Sequence, residues 1–138
     1  VGTFGDRAVA VALDVTDKAQ IAAAVAAADD AFGGVDVLVN NAGYGYMSAV
    51  EEGDDADVRK LFDTNYFGVV DTIKAVLPEM KRRDWGRIIN IASVHGLVAS
   101  TEKAAYVAAK HGVIGLTKVV ALETATSGIT WAATVPET

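Results

Sequence analysis

Tyr106 and Lys110 are the pair of side chains in this sequence whose types and spacing best suit chemistry. A separation of four residues places both on one face of a helix, one turn apart. A free phenol has a pKa of about 10 and is a poor base at neutral pH, but a neighbouring ammonium stabilises the phenolate and lowers that pKa. The pair can therefore donate and accept protons, although similar pairs occur on many solvated helices.

Three further groups accompany this pair. Ser93 lies at the end of a predicted strand, where its hydroxyl could bind a reacting oxygen. Residues 40–43, Asn-Asn-Ala-Gly, end a neighbouring strand, and their small side chains let the backbone approach a planar ligand. Asn65 stands out within a predicted helix, because Asn has mediocre helix propensity and other residues would suit a helix better. Taken singly, residues 40–43 could be an ordinary turn and Asn65 a surface polar residue, so only the set indicates a site.

Two kinds of apolar pattern alternate along the chain and predict the elements that position these residues. Short continuous apolar runs predict buried strands at 8–13, 35–39, 87–92 and 129–135. Amphipathic patterns predict helices at 18 to about 32, about 55 to 83, and 104 to about 126. Alternating strands and helices are typical of a parallel α/β sheet, and residues 1–138 are predicted to form a single domain.

The carboxyl ends of the predicted strands define where a ligand should bind. In open α/β sheets, ligands lie beyond these ends. The segments there are Asp14-Val15, residues 40–43, residues 93–95 and Pro136. The candidate site residues therefore fall at one edge of the predicted sheet.

Composition excludes several other classes of function. The formal net charge of −6 argues against a nucleic-acid partner, which would need clustered Lys and Arg. The absence of cysteine excludes disulfides and thiolate metal sites, and no metal site is predicted. No apolar run reads as a membrane span and no leader is evident. We expect a soluble, cytoplasmic protein.

The motifs together resemble those of the short-chain dehydrogenase/reductase family, in order and in spacing. They are Asp14-Val15, Asn40-Asn41-Ala42-Gly43, Asn65, Ser93 and Tyr106-x-x-x-Lys110. The resemblance covers nearly the whole chain. It implies a Rossmann-type parallel sheet with flanking helices and an oxidoreductase that uses NAD or NADP to interconvert alcohols and carbonyls.

The resemblance also implies catalytic roles for four residues. Tyr106 would be the acid/base at the substrate oxygen. Lys110 would bind the nicotinamide ribose and lower the pKa of the Tyr106 phenol. Ser93 would hydrogen-bond the substrate oxygen and stabilise developing charge. Asn65 would fix a water that relays protons through Lys110.

Cofactor binding is implied for a second set of residues. Asp14 and Val15 would contact adenine, while Asn41, Ala42 and Gly43 would line the dinucleotide. Tyr106 and Lys110 would contact its nicotinamide half. The glycine-rich turn that receives the pyrophosphate in this family is not found among the 138 residues.

The loop after the third predicted strand is similar to that of D-3-hydroxybutyrate dehydrogenases. The similar segment is residues 93–100, followed by Lys103. The resemblance implies that Ser93, His95 and Lys103 bind the substrate, the latter two through its carboxylate. Alternatively, His95 is a polar loop residue and Lys103 a surface cation. Gly45 departs from the pattern, because that group usually has Gln there.

The resemblance predicts an incomplete sheet. The four predicted strands correspond to the third to sixth strands of the family, so the first two strands and the C-terminal strand are expected to be missing. Glu137 stands where the family has Gly. One alternative is therefore an inactive fragment or assembly module. A response-regulator-like domain is a more distant alternative, since it would need clustered carboxylates where only Asp14 stands.

Two predicted helices carry apolar residues on more than one face. Val70 lies in the helix at about 55–83 and Val119 in the helix at 104 to about 126. Extra apolar surface needs a second burial partner, and the resembled family pairs these helices across a two-fold axis. We therefore expect a homo-oligomer, although other segments of the same chain could instead cover these faces.

Overall fold

The structure is a computed structural model that describes residues 4–135. Its centre is a three-stranded parallel sheet with the order β1-β2-β3, formed by β1 (Val37–Asn40), β2 (Gly86–Ile91) and β3 (Ile129–Thr134). Asn40 pairs with Asn90, so the carboxyl end of β1 lies beside the carboxyl end of β2. The predicted α/β class with a parallel sheet and flanking helices is confirmed.

Within residues 4–135, four α-helices accompany the sheet. They are α1 (Lys18–Phe32), α2 (Asp55–Phe62), α3 (Gly68–Arg83) and α4 (Ala104–Glu123). The Asp17 carboxylate caps α1 by accepting from the backbone N–H groups of residues 19 and 20, and Asp54 caps α2 in the same way. Helix α1 ends at Gly33, which adopts a left-handed φ of 79°. These boundaries follow the predicted pattern to within a few residues.

The predicted helix at 55–83 is divided rather than continuous. A single π-helical turn, Asp63–Phe67, separates α2 from α3. Such a turn widens the helix and changes the direction of its side chains, often at functional positions. Gly68 and Pro78, two residues of low helix propensity, both lie within α3 and not at this break.

The prediction of a strand at 8–13 is wrong, because in the described part of the chain these residues pair with no strand. A strand needs a hydrogen-bonding partner, and no described segment lies beside this one as a partner. Val11 is consequently 43% exposed, and Val37 and Val39 on β1 are also exposed. Pro136 and Glu137 lie outside the described residues.

The core lies between β2 and the helices α3 and α4. Its buried residues are Val69, Ile73, Val76, Met80, Ile88, Val113 and Ile129. By length and composition alone, α4 could cross a membrane, but core helices of soluble proteins meet the same criterion. Here α4 packs against β3 and buries Val113 and Ala109.

Candidate active site

Lys110 is a buried cation at the carboxyl end of β2. Its side chain extends from the second turn of α4, and Nζ donates a hydrogen bond of 2.9 Å to the Ile91 carbonyl oxygen. The residue is only 7% exposed. Burial lowers the pKa of the Lys110 ammonium, because desolvation penalises the charged form. Nζ lies 5.8 Å from the centre of the Tyr106 ring, so the predicted pair shares one helix face.

Asn65 reaches the same region from the π-helical turn. Its Nδ2 donates to the Tyr44 carbonyl oxygen at 2.7 Å, and its Oδ1 accepts from the Tyr44 N–H at 3.0 Å. The residue is 1% exposed, so it is not the surface polar residue considered as its alternative. This reciprocal pair ties the loop after β1 to the helix between α2 and α3.

Gly43 lies where that loop passes closest to Asn65 and Lys110. A Cβ atom at Gly43 would stand 3.1 Å from Asn65 Oδ1 and 3.7 Å from Lys110 Nζ. The first distance is tighter than most real contacts, so a side chain there would displace the Asn65 amide. The small residue predicted to let the backbone approach a ligand therefore also lets it approach Asn65.

Ser93 and His95 meet at the turn that follows β2. Ser93 Oγ accepts from the backbone N–H of His95 at 3.2 Å, which caps a single-turn 3-10 helix at Val94–Gly96. Ser93 Oγ also lies 3.4 Å from His95 Nδ1. The His95 ring packs edge-on against Tyr106, with 5.9 Å between ring centres. His95 thus links the predicted serine to the predicted acid/base.

Lys103 lies at the residue before α4. Its backbone forms an isolated parallel bridge with Ser48, and Glu102 beside it has a left-handed φ of 58°. The Lys103 side chain makes no hydrogen bond or ion pair with the described residues. The structure therefore places Lys103 one turn before Tyr106 without fixing its ammonium.

The predicted adenine-binding residues lie apart from this cluster. The Asp14 carboxylate accepts from the Thr16 N–H at 2.9 Å, and this bond lowers its pKa. Val15 packs against Gly68 and lines a cavity of about 200 Å³ beside β1. Asn41 and Ala42 line the same cavity. Two adjoining regions result: this cavity, and the cluster around Lys110.

A buried chain of polar side chains, which was not predicted, crosses the sheet beneath the site. Thr72 on α3 donates to Asn40 Oδ1 at 2.7 Å, and Asn40 Nδ2 donates to Asn90 Oδ1 at 2.9 Å. Asn90 Nδ2 then donates to Thr117 Oγ1 on α4, also at 2.9 Å. The chain connects both helices through β1 and β2. Polar residues inside apolar strand patterns, Asn40 and Asn90, are the signal that could have found it.

Three other contributors were not predicted. The Tyr44 backbone and the Ile91 carbonyl oxygen hold Asn65 and Lys110, but backbone partners leave no mark in residue types. Ser100 Oγ lies 3.1 Å from His95 Nε2. Its hydroxyl, five residues after His95, is a weak sequence signal because serine is common in loops.

These features define a member of the short-chain dehydrogenase family, and the chain belongs to it: the family described as short chain dehydrogenase matches residues 1–138. The D-beta-hydroxybutyrate dehydrogenase of Rhizobium meliloti (strain 1021) is 50% identical over 117 residues, covering 85% of this chain and 45% of that protein. The Cupriavidus necator protein with the same name is 48% identical over 123 residues, covering 89% of this chain and 48% of that protein. The chain thus spans about half the length of the curated relatives it matches.

Solved structures give the same result for the fold. A short-chain dehydrogenase from Streptomyces avermitilis superposes with a TM-score of 0.94 at 36% identity, covering 99% of this chain and 50% of that one. A structure of ElxO with NADP bound has a TM-score of 0.83 at 38% identity, covering 88% of this chain and 50% of that one. The predicted Rossmann-type class, in an incomplete form, is confirmed.

Proposed function

We propose that this chain forms the catalytic segment of an oxidoreductase that interconverts an alcohol and a carbonyl with NAD or NADP. The observation that carries the proposal is the position of Lys110, buried on the Ile91 carbonyl oxygen and beside the Tyr106 ring. Burying an ammonium is costly, and ordinary core packing gives no reason to retain one. NADP bound to a structural neighbour supports this class of cofactor.

The chain's residues fit the nicotinamide half of such a cofactor. Gly43 lets the loop backbone run close to Lys110, and Lys110 has donor capacity left, because an ammonium carries three hydrogens and one is used by Ile91. The bound nicotinamide would supply or accept the hydride. Asn41 and Ala42 line the adjoining cavity, where the remainder of the dinucleotide would lie.

The side chains around that position would manage the proton. The Tyr106 hydroxyl would give a proton to the substrate oxygen during reduction and take it during oxidation. Ser93 would donate a hydrogen bond to the same oxygen and stabilise its developing charge. The Lys110 ammonium would favour the ionised phenol. Asn65, through the loop it holds, would keep this region in place and order a water for proton relay.

We further propose 3-hydroxybutyrate as the substrate. Two relatives with 50% and 48% sequence identity carry the name D-beta-hydroxybutyrate dehydrogenase. Lys103, one turn before Tyr106, has an ammonium free of other partners among the described residues, as a carboxylate-binding cation requires. His95 lies against Tyr106 and could contribute a second contact. A charge-assisted pair of this kind would select a small anion over a neutral alcohol.

Steady-state assays with purified protein test this function. We expect oxidation of 3-hydroxybutyrate, followed by the absorbance of reduced nicotinamide, to exceed oxidation of a neutral secondary alcohol of the same carbon skeleton. Both NAD and NADP should be tested, since the 138 residues do not indicate which of the two cofactors is preferred. Activity on the neutral alcohol alone would overturn the substrate assignment but not the reaction class.

The alternative is an inactive fragment or assembly module of the same fold. The exposed apolar side chains of Val11, Val37 and Val39 favour it, because they mark a surface that no other residue among 4–135 covers. Titration with NADH separates the two. Saturable fluorescence quenching supports the enzyme, whereas no binding of NADH or NADPH would favour the inactive module.

We also propose a homo-oligomer built through α2, α3 and α4, and a cytoplasmic location. Val119 on α4 is 52% exposed, and Leu122 and Phe67 are exposed as well. Sedimentation of the protein beside Val70→Glu and Val119→Glu variants tests the assembly. A monodisperse monomer for the unmodified protein would contradict it.

A further inference from the structure

His95 is held between two hydroxyl groups. Its Nδ1 lies 3.4 Å from Ser93 Oγ, and its Nε2 lies 3.1 Å from Ser100 Oγ. The Tyr106 ring packs edge-on against the His95 ring, with 5.9 Å between the two ring centres. In a neutral imidazole one nitrogen donates and the other accepts. The two hydroxyls must therefore play opposite roles, and which role falls to which depends on the tautomer of His95.

The tautomer decides whether Ser93 can donate to anything else. Ser93 Oγ already accepts from the backbone N–H of His95 at 3.2 Å, which uses one of its two lone pairs. If His95 Nδ1–H also donates to it, both lone pairs are filled and the Ser93 hydrogen remains free. If Ser93 instead donates to Nδ1, its single hydrogen is committed to the imidazole.

Ser100 is placed to select between these states. The Nδ1–H tautomer leaves Nε2 as an acceptor, and the Ser100 hydroxyl is the described donor within reach of it. This contact, at 3.1 Å, is also shorter than the 3.4 Å between Ser93 Oγ and Nδ1, so Ser100 is the closer hydroxyl partner of the ring. The partner of one ring nitrogen sets the protonation of the other.

We propose that Ser100 is a positioning residue that fixes the Nδ1–H tautomer of His95 and so leaves the Ser93 hydrogen free for the substrate oxygen. The inference rests on the proposed function, because that function assigns the reacting oxygen to Ser93. It adds a role for Ser100 that acts only through His95. It also gives His95 a role in orienting Ser93, whether or not it contacts a carboxylate.

Nitrogen NMR of 15N-histidine-labelled protein measures the tautomer directly. The sequence contains two histidines, and a His95→Gln variant assigns the signals of His95. His111 provides an internal reference, because its Nδ1 lies 2.9 Å from the Val107 carbonyl oxygen, which can only accept. We expect the neutral ring of His95, like that of His111, to show a protonated Nδ1 and an unprotonated Nε2.

Variants at position 100 test the cause. Ser100→Ala should shift His95 toward the Nε2–H tautomer, and Ser100→Thr, which keeps the hydroxyl, should retain the Nδ1–H form. Thr101→Ala, the neighbouring exposed hydroxyl, is the matched control and should change nothing. An Nε2–H tautomer in unmodified protein, or an unchanged tautomer in Ser100→Ala, would overturn the inference.

Kinetics provides a second readout that a merely structural role would not move in the same way. We expect Ser100→Ala to lower kcat roughly 10-fold, less than the roughly 10²–10³-fold loss that follows removal of an oxyanion donor itself. KM should change little, and Ser100→Thr should restore kcat. Equal losses in Ser100→Ala and Ser100→Thr would contradict the role. Because the NMR result does not depend on turnover, an inactive protein would overturn the proposed function and leave the tautomer measurement standing.

Discussion

The edge around Lys110 and the segment at residues 8–17 differ in how completely the chain builds them. Around Lys110, the buried ammonium and the buried Asn65 amide each have hydrogen-bond partners. In the segment, Val11 is exposed and pairs with no strand, and the Asp14 carboxylate bonds only within its own turn. The chain thus organises the proposed proton-transfer side by itself and leaves the proposed adenine side open.

This difference has a physical cause. Lys110 bonds to β2 at Ile91, and Ser93 follows β2, whose two neighbours β1 and β3 are both present. Asn65 lies on the π-helical turn that packs against α4. Residues 8–17 pair with no described strand, and apart from the packing of Val15 against Gly68 they are organised by local hydrogen bonds at Asp14 and Asp17. We therefore expect substitutions at the first region to have large effects and those at the second to have small effects.

Lys110→Met should lower kcat far more than the matched control Lys118→Met. Methionine keeps the length of the stem but removes the ammonium that would stabilise the Tyr106 phenolate, and loss of acid/base function costs about 10²–10⁴-fold. Steady-state kinetics measures kcat, with Lys118→Met on the exposed side of α4 as control. Turnover within a few-fold of the unmodified protein would remove Lys110 from the proposed site.

The pH dependence of stability tests the burial of the same ammonium. Because burial lowers the pKa of Lys110 in the folded protein, the unfolded chain binds more protons between that lowered pKa and the ordinary value of 10.5. The free energy of unfolding should therefore rise with pH across this window. Comparison of denaturant titrations for unmodified protein and Lys110→Met isolates the effect, since the rise due to Lys110 should disappear in the variant.

Lys103→Ala should raise KM for 3-hydroxybutyrate much more than for a neutral alcohol. A lost charge-assisted hydrogen bond is worth roughly 1.5–3 kcal/mol, which corresponds to about a 10- to 150-fold change. Lys81→Ala, at the end of α3, is a suitable control because it keeps the same charge change away from the site. Equal changes for both substrates would leave Lys103 as a surface cation.

Asn90→Ala should destabilise the protein by about 1–3 kcal/mol for each buried group left unsatisfied. The variant removes the acceptor of the Asn40 amide and the donor to Thr117 Oγ1. Denaturant unfolding measures the loss, with the exposed Thr130→Ala on β3 as control. A loss no larger than that of the control would show that the buried polar chain does not contribute to stability.

Val11→Thr should change the free energy of unfolding by less than about 0.5 kcal/mol, as expected for an exposed side chain. The same substitution at Val113, which is 1% exposed on α4, should be far more destabilising. The pair of measurements sharpens the contrast between the two regions. A large effect at Val11 would show that the segment at 8–17 has a burial partner in solution.

The sequence predicted the fold better where residue type carries the signal than where backbone partners do. Apolar runs located β1, β2 and β3 to within two residues at either end, and the amphipathic patterns located the first residues of α1, α2 and α4. The strand at 8–13 failed because its apolar run describes a propensity, whereas a strand also needs a neighbour. The π-helical turn at Asp63–Phe67 was missed because the apolar pattern runs through it unbroken, and the pairing of Asn65 with the Tyr44 backbone leaves no mark in that pattern.

The candidate site shows the same division. The spacing of Tyr106 and Lys110 predicted a shared helix face, as the structure has it. The burial of Lys110 was not predictable, because its bond to the Ile91 carbonyl oxygen depends on how α4 packs against β2. Gly43, Asn65 and Lys110 converge through that packing. The roles of these residues in catalysis stay a prediction.

Turnover by a Tyr106→Phe variant tests the central claim most directly. The substitution removes only the phenolic oxygen, so the packing of the ring against His95 should survive. We predict that turnover of 3-hydroxybutyrate falls by at least about 10²-fold, while the affinity for NADH, measured by fluorescence titration, stays within a few-fold of that of the unmodified protein. Normal turnover in Tyr106→Phe, with NADH binding intact, would contradict the assignment of Tyr106 as the acid/base of this protein.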